Sequence, residues 1–121
     1  MTPSLEAILD NLPGMVAYFD RDLTYRYNNR LYEVRTRRSK ADLVGVALRD
    51  VLGEDGFQQL LPHAQRALAG ETVKLRREAR HADGSGGQVL VYYTPDRADD
   101  GKVRGVVVFV LDVEPQLGAA A

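Results

Sequence analysis

The sequence contains no cysteine and no tryptophan, only two histidines, and no apolar run near the roughly 18 residues of a membrane span. Without thiols, disulfides, thiolate metal sites and cysteine nucleophiles are excluded. An excess of charge of either sign is also missing: 16 Lys and Arg against 17 Asp and Glu leave a net charge of -1. The chain therefore exerts no global pull on phosphate backbones or anionic lipid, and neither nucleic acid nor a membrane is expected as a partner. The short basic run RTRRSK, Arg35 to Lys40, reads as a solvated helix end. The N-terminus has neither the basic flank nor the apolar stretch of a signal peptide, so a cytoplasmic location is expected. No phosphate-binding glycine loop and no nucleophile elbow occurs, and the pairs Asp20/Asp22 and Asp99/Asp100 fall in turns, where Asp bonds its own backbone. No residue is assigned to catalysis, and an enzyme is not expected.

What is present reads as a single domain of 121 residues with an α+β element order. Leu5, Ile8, Leu9 and Leu12 recur at helical spacing, with Thr2 or Ser4 to cap and Pro13-Gly14 to stop, which predicts an amphipathic helix within residues 1–13. MVAYFD and TYRYNN predict a hairpin, and Arg30 to Gly53 breaks into short helices, one of them opened by Ser39 and Asp42 at capping-box spacing. Phe57, Leu60, Leu61, Ala64, Ala67 and Leu68 mark one side of a longer helix closed by Gly70; Pro62 lies inside it, and a single helix kinked there is expected. TVKLRREAR, QVLVYYTP and VRGVVVFVLDV predict three consecutive antiparallel strands joined by glycine-rich turns.

The pieces LPGMVAYFDRDLTYRYNNRLYE, LVGVALRDVLG, HAQRALAGETV and DGSGGQVLVYYTPDRADDGKVRGVVVFVLDVE, in this order and spacing, resemble the PAS domains of bacterial signalling proteins over nearly the whole chain. The resemblance implies a PAS-like five-stranded antiparallel sheet with short helices and one longer helix on one face, spanning residues 14–115 between the N-terminal helix and a disordered tail at 116–121. It also implies a pocket for a small molecule and a relay of its state to an effector domain or partner that is not part of this chain. Members that form a flavin–cysteinyl adduct, or hold a chromophore on cysteine, are excluded by the missing cysteine. Members that bind haem use a histidine on the long helix; His63 falls at the edge of the apolar stripe, so it is expected to be a surface residue and haem is not expected. His81 lies at a loop entrance, and no metal site is assigned. The cofactor, if there is one, is left unknown.

Strand alternation groups Met15, Ala17 and Phe19; Leu75, Arg77 and Ala79; Val89, Val91 and Tyr93; and Val106, Val108 and Val110. In cofactor-binding members of the resembled family the corresponding positions look into the pocket, and Tyr25 and Tyr27 are candidates from the second strand. Arg77 is the exception in an apolar set. Three readings stand: a strut to Asp50, Glu54 or Asp55, an anchor for a bound carboxylate, or an outward turn caused by a bulge. On the other face, Leu90, Tyr92, Val107 and Phe109 are too apolar for a fully solvated surface, so a homodimer is expected through Leu5, Ile8, Leu9, Leu12, Tyr92 and Phe109. A ligand-free dimerisation or protein-interaction module is the alternative to a sensor.

Overall fold

The computed structural model describes residues 1–113; the expected tail at 116–121 lies outside them. Ser4 opens α1 (Leu5–Asp10), its side chain accepting from the Ala7 amide. The strands β1 (Met15–Asp20) and β2 (Tyr25–Asn28) follow, then α2 (Arg30–Thr36), α3 (Lys40–Leu43) and α4 (Leu48–Leu68), then β3 (Val73–Arg80), β4 (Gly86–Arg97) and β5 (Val103–Asp112). The five strands form one antiparallel sheet in the order β2-β1-β5-β4-β3. The three C-terminal strands thus make a meander whose last member inserts beside the first hairpin, and β5 becomes the central strand.

Alternation sets the two faces. Phe19, Val89, Val91, Tyr93 and Val106 are fully buried on the concave side, where Leu43, Leu48, Phe57, Ala64 and Ala67 from the helices meet them. Local polar groups fix the turns between these elements. Asp20 Oδ1 accepts from the amides of Asp22 and Thr24, Ser39 Oγ accepts from Asp42, and Asp100 Oδ1 accepts from Lys102. These aspartates do turn chemistry, as their positions suggested.

Two expectations about the elements need correction. The long helix runs through Pro62, and the break in helical dihedrals within Leu48–Leu68 is at Gly53 (φ 75°, ψ 168°), where the short helices were expected to end; the kink lies there and not at Pro62. Proline forfeits one backbone donor but its φ suits a helix, whereas a left-handed φ interrupts helical geometry outright, and glycine is the residue that takes it at no steric cost. The second correction is a bulge. The pairing of β1 with β2 shifts between Tyr18 and Phe19, so Tyr18 faces Tyr27 while Phe19 faces Tyr25. Tyr25 and Tyr27 therefore lie on opposite sides of the sheet although they are two residues apart.

Candidate functional site

A cavity of about 640 Å³ opens between the concave sheet face and helices α2 and α4. Its floor is apolar: Met15, Ala17 and Phe19 from β1, Val91 and Tyr93 from β4, and Val108 and Val110 from β5, with Leu48, Val51, Leu52 and Leu60 opposite on α4. Leu75, Arg77 and Ala79 of β3 form one wall. Of the strand residues expected to face the pocket, three do not line this cavity: Val89, Val106 and Tyr27, the last turned by the bulge to the outer face beside Leu5, Leu9, Val16, Tyr18 and Val107. Val89 and Val106 are fully buried in the core and leave no surface at the cavity.

Tyr25, a candidate from the second strand, is joined by polar lining residues that escaped the alternation argument because helices supply them, Tyr32, Gln59 and His63 among them. Tyr25 and Tyr32 share a short hydroxyl–hydroxyl hydrogen bond at the buried end, with their rings edge to face at 5.6 Å. Burial pushes the Tyr25 hydroxyl up to about 12 and raises Tyr32 as well, so both stay protonated. Tyr93 is raised for the same reason, against the opposing charge of Arg77. His63 is not on the surface, as its place at the stripe edge had suggested: it stacks on Tyr93 with centroids 5.9 Å apart and lines the cavity, its buried Nδ1 without a partner among the described residues. An edge position on a helix is solvated only where nothing faces it, and here Tyr93 does.

The rim is basic. Arg35 from the end of α2, Arg38 from the turn after it, Arg77 and Arg80 from β3, and His81 after β3 all line the opening, and no Asp or Glu does among the described residues. Two of the basic residues in RTRRSK are therefore site residues and not merely a solvated helix end. Arg35 is engaged: it donates from Nη2 to Asp112 Oδ2 at 2.7 Å and lies 3.9 Å from Asp83. Arg80 has a distant partner in Glu78 at 3.7 Å. The side chains of Arg38 and Arg77 make no hydrogen bond or ion pair among the described residues. The strut reading of Arg77 is thus overturned, since Asp50, Glu54 and Asp55 do not reach it. The bulge reading fails too, because β3 and β4 pair without a register shift. Arg77 stays on the concave side and is exposed, because the cavity opens beside it. His81 is held below its ordinary value by burial first and by Arg35 next.

A second, smaller apolar groove of about 400 Å³ lies on the opposite face, between Leu5, Glu6 and Leu9 of α1 and Val16, Tyr18, Tyr27 and Val107 of the sheet. Ile8 of α1 and Leu12 in the turn after it are exposed, and Tyr92 and Phe109 lie side by side, half-buried, with centroids 6.3 Å apart.

The fold recurs in solved structures. VqmA of Vibrio cholerae, described bound to DPO, superposes with a TM-score of 0.73 at 21% identity, over 89% of this chain and 55% of that one. The PAS domain of Bordetella pertussis BvgS gives 0.75 at 15% identity over 96% and 88%, and a sensory box sensor histidine kinase from Vibrio cholerae gives 0.71 at 16% over 93% and 90%. The chain spans about half the length of the VqmA chains it matches. No curated protein matches it in sequence. At these identities the likeness is one of fold, and a family model described as PAS fold, matching residues 9–116, carries the assignment: the chain belongs to the PAS-fold family.

Proposed function

We propose that this domain is a sensory or regulatory module of bacterial signal transduction, working in the cytoplasm, that binds a small molecule in the concave cavity and relays occupancy to an effector domain or partner protein. The observation that carries this reading is the cavity itself: about 640 Å³, apolar below and charged at its mouth, the form taken by small-molecule sites. A route for the relay is provided by Arg35, which lines the opening and also holds Asp112 at the end of the central strand. VqmA, a relative in fold, is described with a ligand, and its chain is also described with DNA. The near-neutral charge of this chain favours no nucleic-acid contact by the domain itself.

Native mass spectrometry and thermal melting of the purified chain test the reading. A copurified mass, or a small molecule that raises the melting temperature, is expected; bare protein that no compound stabilises would overturn it. Haem is no part of the reading although His63 lines the cavity, and a Soret shift on mixing with hemin would revise that point.

A second reading, an interaction module that homodimerises, is favoured by the apolar outer face. It need not exclude the first. A chain that dimerises but takes up no small molecule would put it ahead.

A further inference from the structure

The mouth of the cavity distinguishes among ligand classes. Of the four arginines on its rim, Arg35 is already neutralised by Asp112 and Asp83, and Arg80 has Glu78 near it. Arg38 and Arg77 come from different elements, the turn after α2 and the middle of β3, yet both line one opening, and neither meets a carboxylate among the described residues. Their charge reaches into the cavity: burial raises the Tyr32, Tyr93 and Tyr25 hydroxyls, and Arg77 opposes the rise at the first two and Arg38 at the third. A guanidinium cannot shed its proton, so an apolar cavity edged by two such groups favours an anion over an equally apolar neutral molecule.

The buried end supplies an independent observation. In the Tyr25–Tyr32 pair one hydroxyl donates to the other, which leaves one O–H donor of the pair unspent. Both residues are more than nine-tenths buried and line the cavity. A donor left over in such a place is a standing cost that a bound acceptor would remove.

Resting on the small-molecule reading above, we infer that the ligand is an anionic, largely apolar molecule, its acid group held between Arg38 and Arg77 and its body reaching inward toward the tyrosine pair. Arg38 and Arg77 are then specificity residues, and Arg35 is a neighbour already committed to the protein.

A matched pair of fluorescent probes tests this on the full chain: 1-anilinonaphthalene-8-sulfonate, and N-phenyl-1-naphthylamine, the same skeleton without the sulfonate. The sulfonate should bind about tenfold more tightly, the size of one charge-assisted hydrogen bond after solvent screening. The Arg38→Gln, Arg77→Gln double variant should erase that preference by weakening the sulfonate alone, whereas Arg104→Gln, on the far face of β5, should not. Because neither cavity arginine has a side-chain partner to lose among the described residues, the double variant should melt like the parent. Equal affinity for the two probes, or a preference that survives in the double variant, would overturn the anionic class and leave small-molecule binding intact. If neither probe bound at millimolar concentration, the binding reading and this inference would fall together.

Discussion

Asn28 and Asn29 are neighbours, both fully buried, and their side chains have opposite fates. Asn29 uses its whole hydrogen-bonding capacity: Oδ1 accepts from the amides of Val16 (2.9 Å) and Tyr32 (3.1 Å), and Nδ2 donates to the carbonyls of Leu9 (2.9 Å) and Gly14 (3.0 Å). It caps α2 and at the same time joins α1 and β1 to it. Asn28 makes no side-chain hydrogen bond among the described residues. Replacing Asn29 by Ala removes a cap, worth about 1 kcal/mol. It also strands buried backbone groups at about 1–3 kcal/mol each. Urea unfolding should therefore show Asn29→Ala less stable by about 3 kcal/mol, once the relief of partial rearrangement is counted. Asn28→Leu, close in volume and free of an unmet amide, should hold or raise the midpoint. A loss in Asn28→Leu as large as that in Asn29→Ala would show that the Asn28 amide is satisfied in solution.

At the scale of elements, how much was legible depended on periodicity. Strands β3, β4 and β5 and the concave set Val91, Tyr93, Val108 and Val110 follow from alternation, because regular antiparallel pairing preserves a period of two. Tyr27 was misplaced because the bulge in β1–β2 interrupts that period, and a bulge leaves no compositional mark in TYRYNN. Arg35 and Arg38 on the rim and His63 in the cavity wall were missed for a different reason: they reach the cavity through tertiary packing, and a basic run at a helix end looks the same whether it faces water or a pocket. The Arg35–Asp112 pair is the clearest case, a contact across 77 residues joining α2 to the end of β5. Arg35 is half-buried there while Asp112 is largely exposed, so screening limits the pair to about 1 kcal/mol or less. A double-mutant cycle of Arg35→Gln with Asp112→Asn should return coupling of about 0.5 kcal/mol, and either single change should speed amide exchange at Val110 to Asp112. Strictly additive effects with unchanged exchange would show that the pair does not restrain β5.

For the molecule as a whole, two properties follow from where charge and apolar surface lie. The His81 imidazole is held below its ordinary 6.5 by burial, so above about pH 6.5 both folded and unfolded chains are neutral there and stability has no slope from it. Below that pH the unfolded chain takes a proton the folded one refuses. Stability should fall until the folded imidazole also protonates, and His81→Gln should flatten this limb. Asp96 is lowered by Arg104 first and by the Tyr18 hydroxyl next, so its contribution is present above 3.8 and is lost as pH falls further. Apolar surface gives the second property. No residue of α1 is buried; Leu5 is 72% and Ile8 47% exposed, and Val107 on the sheet beside it is 38% exposed. A helix of six residues has little stability of its own, and polar ties hold this one in place: Lys40 to Glu6 at 2.5 Å, and the Arg30 amide to Asp10 at 2.8 Å. Those ties position the helix without covering its apolar side, which leaves a continuous surface suited to a second copy of the chain. Sedimentation velocity at tens of micromolar should therefore show a dimer, and Leu5→Glu with Val107→Glu should yield a monomer of unchanged circular dichroism, because both side chains already face water in the single chain. A parent chain that sediments as a monomer at that concentration would mean that this face serves a different partner or none.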